Sequence, residues 1–266
     1  MSTESFRMYV CPQCRGQLVV EATALTCIAC QRAYPIVDSI PDFLLEKPED
    51  SGNRILRNIE RVDKAARFYE SKLWYPFVLN LYGGLGVMTF ERLAAYTREK
   101  MKPVKGLVLD AACGPGTYGR RAAGPEREVY GIDLSMGMLR MGQRYIAEES
   151  VTAMHFSRSD VEHLPFRDGL FDGCLTCGSL HLFPNTVKAL AEIGRTMKSG
   201  VPLIVSTFTP GKKGLFKYRW AQERVQRRGF HLFPLDAVER CLYETGFTQF
   251  EPAVYGSLLL FTARKS

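Results

Sequence analysis

Two pairs of cysteines stand near the start of the chain: Cys11 and Cys14 in "CPQC", Cys27 and Cys30 in "CIAC", with twelve residues between the pairs. Two such knuckles bring four thiolates onto one ion. A set of four cysteines with no open coordination position is the donor set of a structural, tetrahedral zinc. A module this small has little core, so metal ligation supplies much of its folding energy. Its charge argues against a grip on a phosphate backbone, because residues 1–50 carry four Lys/Arg and seven Asp/Glu. The other four cysteines are scattered. That usage fits a metal site and buried thiols in a reducing compartment better than a disulfide scaffold, and Cys113 and Cys174 read as packing residues.

A second constellation lies at Asp110–Gly119, "DAACGPGTYG", followed by Asp133 in "YGIDLS". Glycines at Gly114 and Gly116 let backbone approach a ligand closely, and an acid ending the next strand accepts hydrogen bonds from ribose hydroxyls. The literal GxGxxG pattern of Gly114–Gly119 is also that of a dinucleotide site. Asp110 beside the turn would repel a pyrophosphate, however, and would tolerate or favour a cationic ligand without phosphates. Further on, His181 in "GSLHLF" and His231 in "GFHLF" are candidate bases, since an unperturbed imidazole titrates near pH 6.5. Tyr69, Trp74 and Tyr75 offer planar apolar surface for an acceptor. The run "GKKGLFKYRWAQERVQRRGF" has seven basic residues and one acid, and Lys217 and Arg219 within it offer positive charge to an anionic substrate or to RNA.

These groups need a frame that gathers them at one edge of a sheet. From residue 104 short apolar strands ("VKGLVLD", "EVYGIDLS", "VTAMHFSRSD", "GLFDGCLTCGSL", "VPLIVSTFT") alternate with helical stretches, and two further strands close the chain. That grammar predicts an α/β fold with a Rossmann-like, doubly wound, seven-stranded sheet. A small N-terminal zinc ribbon and a helical cap precede it. The 266 residues, 46% hydrophobic, suffice for one such domain and an accessory module. No apolar run reaches membrane-spanning length and the first residues hold no secretory signal, so a cytoplasmic location is expected.

The segments "VLDAACGPGTYGRRAA", "VYGIDLSMGML", "RSDVEHLPFRDGLFDGCLTCGSLHLF" and "ALAEIGRTMKSGVPLIVSTF" resemble the successive motifs of class I S-adenosylmethionine-dependent methyltransferases, above all the ubiquinone and menaquinone C-methyltransferase branch. The resemblance spans roughly residues 100–263. It implies that Asp110, Ala112, Gly114 and Gly116 form the loop around the methionine part of S-adenosylmethionine. By the same token Asp133 meets the ribose with Leu134 against adenine, Asp160 and Val161 complete the adenine pocket, and Cys177 and Gly178 face the reacting centre. Ala112 departs from the family, which has glycine there. A zinc ribbon ahead of this domain resembles the layout of bacterial 23S rRNA guanine-N1 methyltransferases. The expected organisation is a ribbon over 1–46, a linker and helical cap segment over 47–100, and a methyltransferase domain over 101–266 with a substrate-covering insertion at 208–235. The expected activity is methylation of a small-molecule acceptor, anionic or aromatic, at carbon or oxygen. Methylation of an RNA base is the alternative.

Overall fold

The computed structural model describes residues 5–46 and 73–266. Strands β1 (Leu18–Val20), β2 (Ala24–Cys27), β3 (Ala33–Val37) and β4 (Ile40–Pro41) form an antiparallel meander. The residue after each cysteine pair, Arg15 and Gln31, turns in the left-handed region with φ of 61° and 60°. Each donates its N–H back to the first cysteine of its pair, Arg15 to Cys11 O at 2.7 Å and Gln31 to Cys27 O at 2.9 Å. The two knuckles are therefore copies of one local solution. Gly16 leaves no alternative, because a Cβ there would stand 2.9 Å from Cys27 Sγ.

The large sheet runs in the order β10-β11-β9-β8-β5-β6-β7. Its strands are β5 (Gly106–Ala111), β6 (Arg127–Asp133), β7 (Met154–Arg158), β8 (Gly173–Cys177), β9 (Pro202–Phe208), β10 (Phe247–Tyr255) and β11 (Leu258–Lys265). The five strands β5 to β9 are parallel, and the β10–β11 hairpin joins β9 antiparallel. Side-chain alternation divides the core: Leu109 and Ala111 of β5 and Leu203 and Val205 of β9 face one layer, while Val108 and Ile204 face the other. The helices are α1 (Trp74–Val78), α2 (Phe90–Met101), α3 (Gly119–Ala122), α4 (Met136–Glu148), α5 (Thr186–Thr196), α6 (Arg219–Gln226) and α7 (Leu235–Glu244). Polar caps start three of them, with Thr89, Ser135 and Asn185 accepting from Arg92 N, Met138 N and Lys188 N. The stretch "YPFVLNLYGGLG" carries most of α1 and a π-turn over Leu79–Gly83. Pro76 is tolerated because it sits in the first turn, where its missing N–H has no helical partner to lose.

The ribbon packs on the outer edge of the large sheet, at β7. Phe43 N donates to Arg158 O at 2.8 Å, and Val10 N to Pro165 O at 2.9 Å. Arg158 Nη1 meets Asp42 Oδ2 at 3.0 Å, with both side chains largely buried. Tyr9 packs its ring between Phe43 (4.9 Å) and Phe166 (5.2 Å). Ribbon and sheet thereby share one continuous apolar cluster.

Candidate functional site

The four cysteine sulfurs lie within 4.8 Å of one another. Cys11 and Cys30 Sγ are 3.6 Å apart, and Cys14 and Cys27 Sγ 3.5 Å. Four sulfurs each about 2.3 Å from a tetrahedral ion are about 3.8 Å apart, so the set fits zinc. The Tyr34 hydroxyl lies 3.0 Å from Cys11 Sγ, an outer-shell contact of the kind that orients a ligand. The chemistry of such a closed site is structural.

At the C-terminal ends of the parallel strands two adjoining cavities open, of about 170 and 250 Å³. Ala112, Gly114, Asp133, Leu134, Asp160, Val161, Cys177 and Gly178, the eight sequence-derived residues at the ends of β5, β6, β7 and β8, all line the first. Among the described residues two carboxylates and no Lys or Arg face it, which matches the sequence argument for a ligand that is cationic and lacks phosphates. Asp133 latches the glycine turn: its Oδ2 accepts from Gly114 N at 2.8 Å and its Oδ1 from Ser135 N at 2.9 Å. Asp160 Oδ1 accepts from Glu162 N at 2.9 Å, which sets the carboxylate on a tight turn.

Asp110 and Gly116 stand behind this wall instead of in it. Asp110 is buried and accepts from Gly119 N at 3.0 Å, bracing the first turn of α3. Burial pushes its carboxyl up to about 7 against that hydrogen bond, and the nearby Asp133 charge adds to the rise. Gly116 packs so closely on β7 that a Cβ would stand 2.7 Å from Met154 Cε. Ala112 adopts φ of 56°, a left-handed conformation that costs a residue bearing Cβ roughly 1–2 kcal/mol. Ala112→Gly, which restores the family residue, should raise stability to chemical denaturation by about 0.5–1 kcal/mol, the relief being partly offset by unfolded-state entropy. An unchanged or lowered midpoint would show that the methyl packs usefully.

The second cavity is an aromatic chamber. Trp74, Tyr75 and Phe77 of α1, Tyr82 of the π-turn and Tyr118 line it, together with Phe208, Phe216 and Phe230 from the end of β9 and the segment after it. The rings brace one another, Tyr82 stacking on Phe216 at 5.0 Å and Phe208 meeting Phe216 edge-on at 5.6 Å. Among the described residues no Asp, Glu, Lys or Arg faces this chamber. Tyr75, Tyr118, Cys177, Gly178 and Leu182 line both cavities and form the passage between them. At the passage Gly178 has φ of 82°, and the position its Cβ would take is empty. Burial, with Asp110 nearby, pushes the Cys177 thiol up to about 12, so it stays protonated and is no nucleophile.

Trp74 and Tyr75, offered from sequence as acceptor surface, and His181, offered as a candidate base, line this chamber. His181 is buried, with Nδ1 3.2 Å from Thr207 Oγ1 and its ring stacked on Phe230 at 5.4 Å. Burial pulls its pKa down to about 3, helped by His231, so the ring is neutral. His231 does not line the chamber; its backbone N donates to His181 O at 2.7 Å and its ring stacks on Phe233. Lys217 and Arg219 also lie outside it. Lys217 is exposed over the Tyr218 ring, and Arg219, 92% exposed, pairs with Glu223 one turn along α6. A charged side chain is stable in water and costly against aromatic walls, so the insertion turns its bases outward and its apolar residues inward. Tyr69 lies outside the described residues. The residues missed were Phe216 and Phe230, which sit among the charges that drew attention to the insertion.

Residues 108–200 match the family model of a methyltransferase domain, and residues 8–39 that of Trm112p-like proteins. An uncharacterized chloroplastic methyltransferase of Arabidopsis thaliana is 25% identical over 98% of this chain and 79% of its own. A demethylmenaquinone methyltransferase of Staphylococcus aureus is 32% identical over 51% of this chain, a match spanning 58% of that protein. Among solved structures, a phosphoethanolamine N-methyltransferase of Haemonchus contortus in complex with S-adenosyl-L-methionine superposes with a TM-score of 0.65, at 19% identity. It covers 81% of this chain and 60% of that one. Among the described residues no helix is long and apolar enough to cross a membrane. The plant relative is chloroplastic, which lends no support to the cytoplasmic expectation.

Proposed function

We propose that this chain, an S-adenosylmethionine-dependent methyltransferase with a structural zinc ribbon, methylates a small, planar, largely apolar acceptor at carbon or oxygen. The carrying observation is the chamber beside the proposed cofactor cleft, walled among the described residues by eight aromatic side chains and by no charged one. Such a pocket suits a flat apolar molecule. It gives an anionic acceptor no partner, and offers an RNA base little beyond stacking. The relatives named for demethylmenaquinone point to the same substrate class.

In this reading Asp133 and Asp160 hold the nucleoside of the cofactor, which supplies a methyl group on a positively charged sulfur. Tyr75 and Tyr118 put aromatic surface at the passage, where a sulfonium is favoured by ring faces. The chamber holds the acceptor in line with the methyl and excludes water, so proximity does most of the work. His181, neutral and tied to Thr207, orients the acceptor by a hydrogen bond. With so low a pKa it is a poor proton store, so the acceptor's proton passes to solvent at the chamber's mouth, beside the exposed Phe77.

Labelled S-adenosylmethionine offered in parallel with apolar phenols and quinols and with total RNA should label the small molecules. Label entering RNA alone would overturn the reading. Run from pH 5 to 9 on an acceptor that does not itself titrate, the same assay should show no limb that His181→Asn removes, since His181 stays neutral throughout. A limb near 7 belongs to the raised Asp110 carboxyl and should persist in that variant. A limb there that disappears in His181→Asn would assign His181 a proton-transfer role instead.

A further inference from the structure

The walls of the aromatic chamber have an outer side that no function so far described uses. Residues 73–90, carrying α1 and the π-turn, contain no charged residue at all. Yet Leu73 and Leu85 are 80% and 89% exposed, and Phe77 is 58% exposed while also lining the chamber, which places it at the mouth. The facing wall comes from residues 209–233, with seven Lys/Arg against one acid, Glu223. All seven bases are exposed. Tyr218 and Trp220 are exposed among them, their rings stacked at 6.2 Å, while Phe216 and Phe230 of the same segment turn into the chamber. The two walls touch: a Cβ on Gly84 would stand 2.8 Å from Lys213 Cβ. An uncharged apolar rim and a basic, aromatic rim thus border one apolar opening.

We infer that this rim docks on an anionic lipid surface, from which the apolar acceptor enters the chamber directly. Lys and Arg are drawn to anionic headgroups, while Trp, Tyr, Leu and Phe settle at the headgroup–acyl boundary. A face made for RNA would pair the bases with polar groups and splay bases onto aromatic platforms. Here exposed aliphatic side chains flank the Lys and Arg residues, and no described residue puts a charge into the cavity behind them. The inference rests on the apolar-acceptor reading, because a polar acceptor would be met in water.

The test is flotation of the full zinc-loaded chain with vesicles of phosphatidylcholine alone or with phosphatidylglycerol added. Binding to the anionic vesicles only, at physiological salt, is expected. The exposed pair Arg224→Glu/Arg228→Glu should weaken it at least about 25-fold, at roughly fivefold for each charge near the surface. Trp220→Ser should weaken it as well. All these variants should transfer methyl to a detergent-presented acceptor at the unaltered rate. Absence of vesicle binding, equal binding to neutral vesicles, or full binding by the double variant overturns the inference. So does binding of total RNA that anionic vesicles fail to displace, which would make the rim a nucleic-acid surface. Vesicle binding is read without turnover. A wild-type chain that transfers methyl to an apolar acceptor but does not dock sinks the docking alone, and a wild-type chain that docks but transfers to no apolar acceptor sinks the acceptor reading.

Discussion

Asp133→Ala should lower affinity for S-adenosylmethionine by about a hundredfold. A carboxylate that accepts from two ribose hydroxyls makes charge-assisted hydrogen bonds of about 1.5–3 kcal/mol each, and loss of about 3 kcal/mol is roughly two decades in Kd. The structure adds a second source of loss. The same carboxylate accepts from Gly114 N and Ser135 N, so its removal also frees the glycine turn that must cradle the ligand. Asp133→Asn keeps one acceptor oxygen and should fall between. Calorimetric titration reads both, and circular dichroism confirms that the variants fold. Wild-type affinity in Asp133→Ala would remove Asp133 from the cofactor site.

Chelation of the ribbon metal should unfold residues 8–46 and weaken the rest. Structural zinc contributes about 10–16 kcal/mol of binding free energy in comparable small modules, far more than this ribbon's few buried side chains supply. The damage should not stop at the ribbon, because Tyr9 and Phe43 belong to the core that includes Tyr130 and Phe166. Losing contacts on the scale of a buried aromatic costs about 3–5 kcal/mol. Hydrogen exchange with and without chelator should show protection lost throughout the ribbon, with a lowered thermal midpoint for the remainder and recovery on zinc addition. Full ribbon protection in chelator would mean that the fold there stands without metal.

The frame of this protein was legible because its signals are local. Asp110 and Asp133 end strands whose apolar runs are short and bounded by turn residues, and the cysteine pairs carry their own geometry. Eight of the ten residues carried over for the cofactor line the first cavity, because each lies at or just after a strand end. Asp110 and Gly116 belong to the same loop but turn away from the cleft, a matter of backbone direction that composition does not record. The acceptor side was less legible for a different reason. Its walls come from α1 and from residues 209–233, which meet only in three dimensions, and the eye follows charge. Lys217 and Arg219 stood out in the sequence and face water, whereas Phe216 and Phe230, on either side of them in the same basic run, face the chamber. His181 was found by position, but its neutral state comes from burial among rings supplied by other elements.

The seat of the ribbon on β7 has a consequence for the life of the chain in a cell. The outermost strand of an open sheet presents unpaired backbone groups that recruit strands of other molecules. At the far edge, β10 is interrupted by a register shift between Thr248 and Glu251 and by Pro252, both of which hinder such recruitment. At β7 the guard is the ribbon, joined through Phe43 N and the Asp42–Arg158 pair. Zinc supply therefore governs more than a small fold: a metal-starved chain bares a template for self-association, so metal scarcity would remove this enzyme by aggregation rather than by slowing its chemistry.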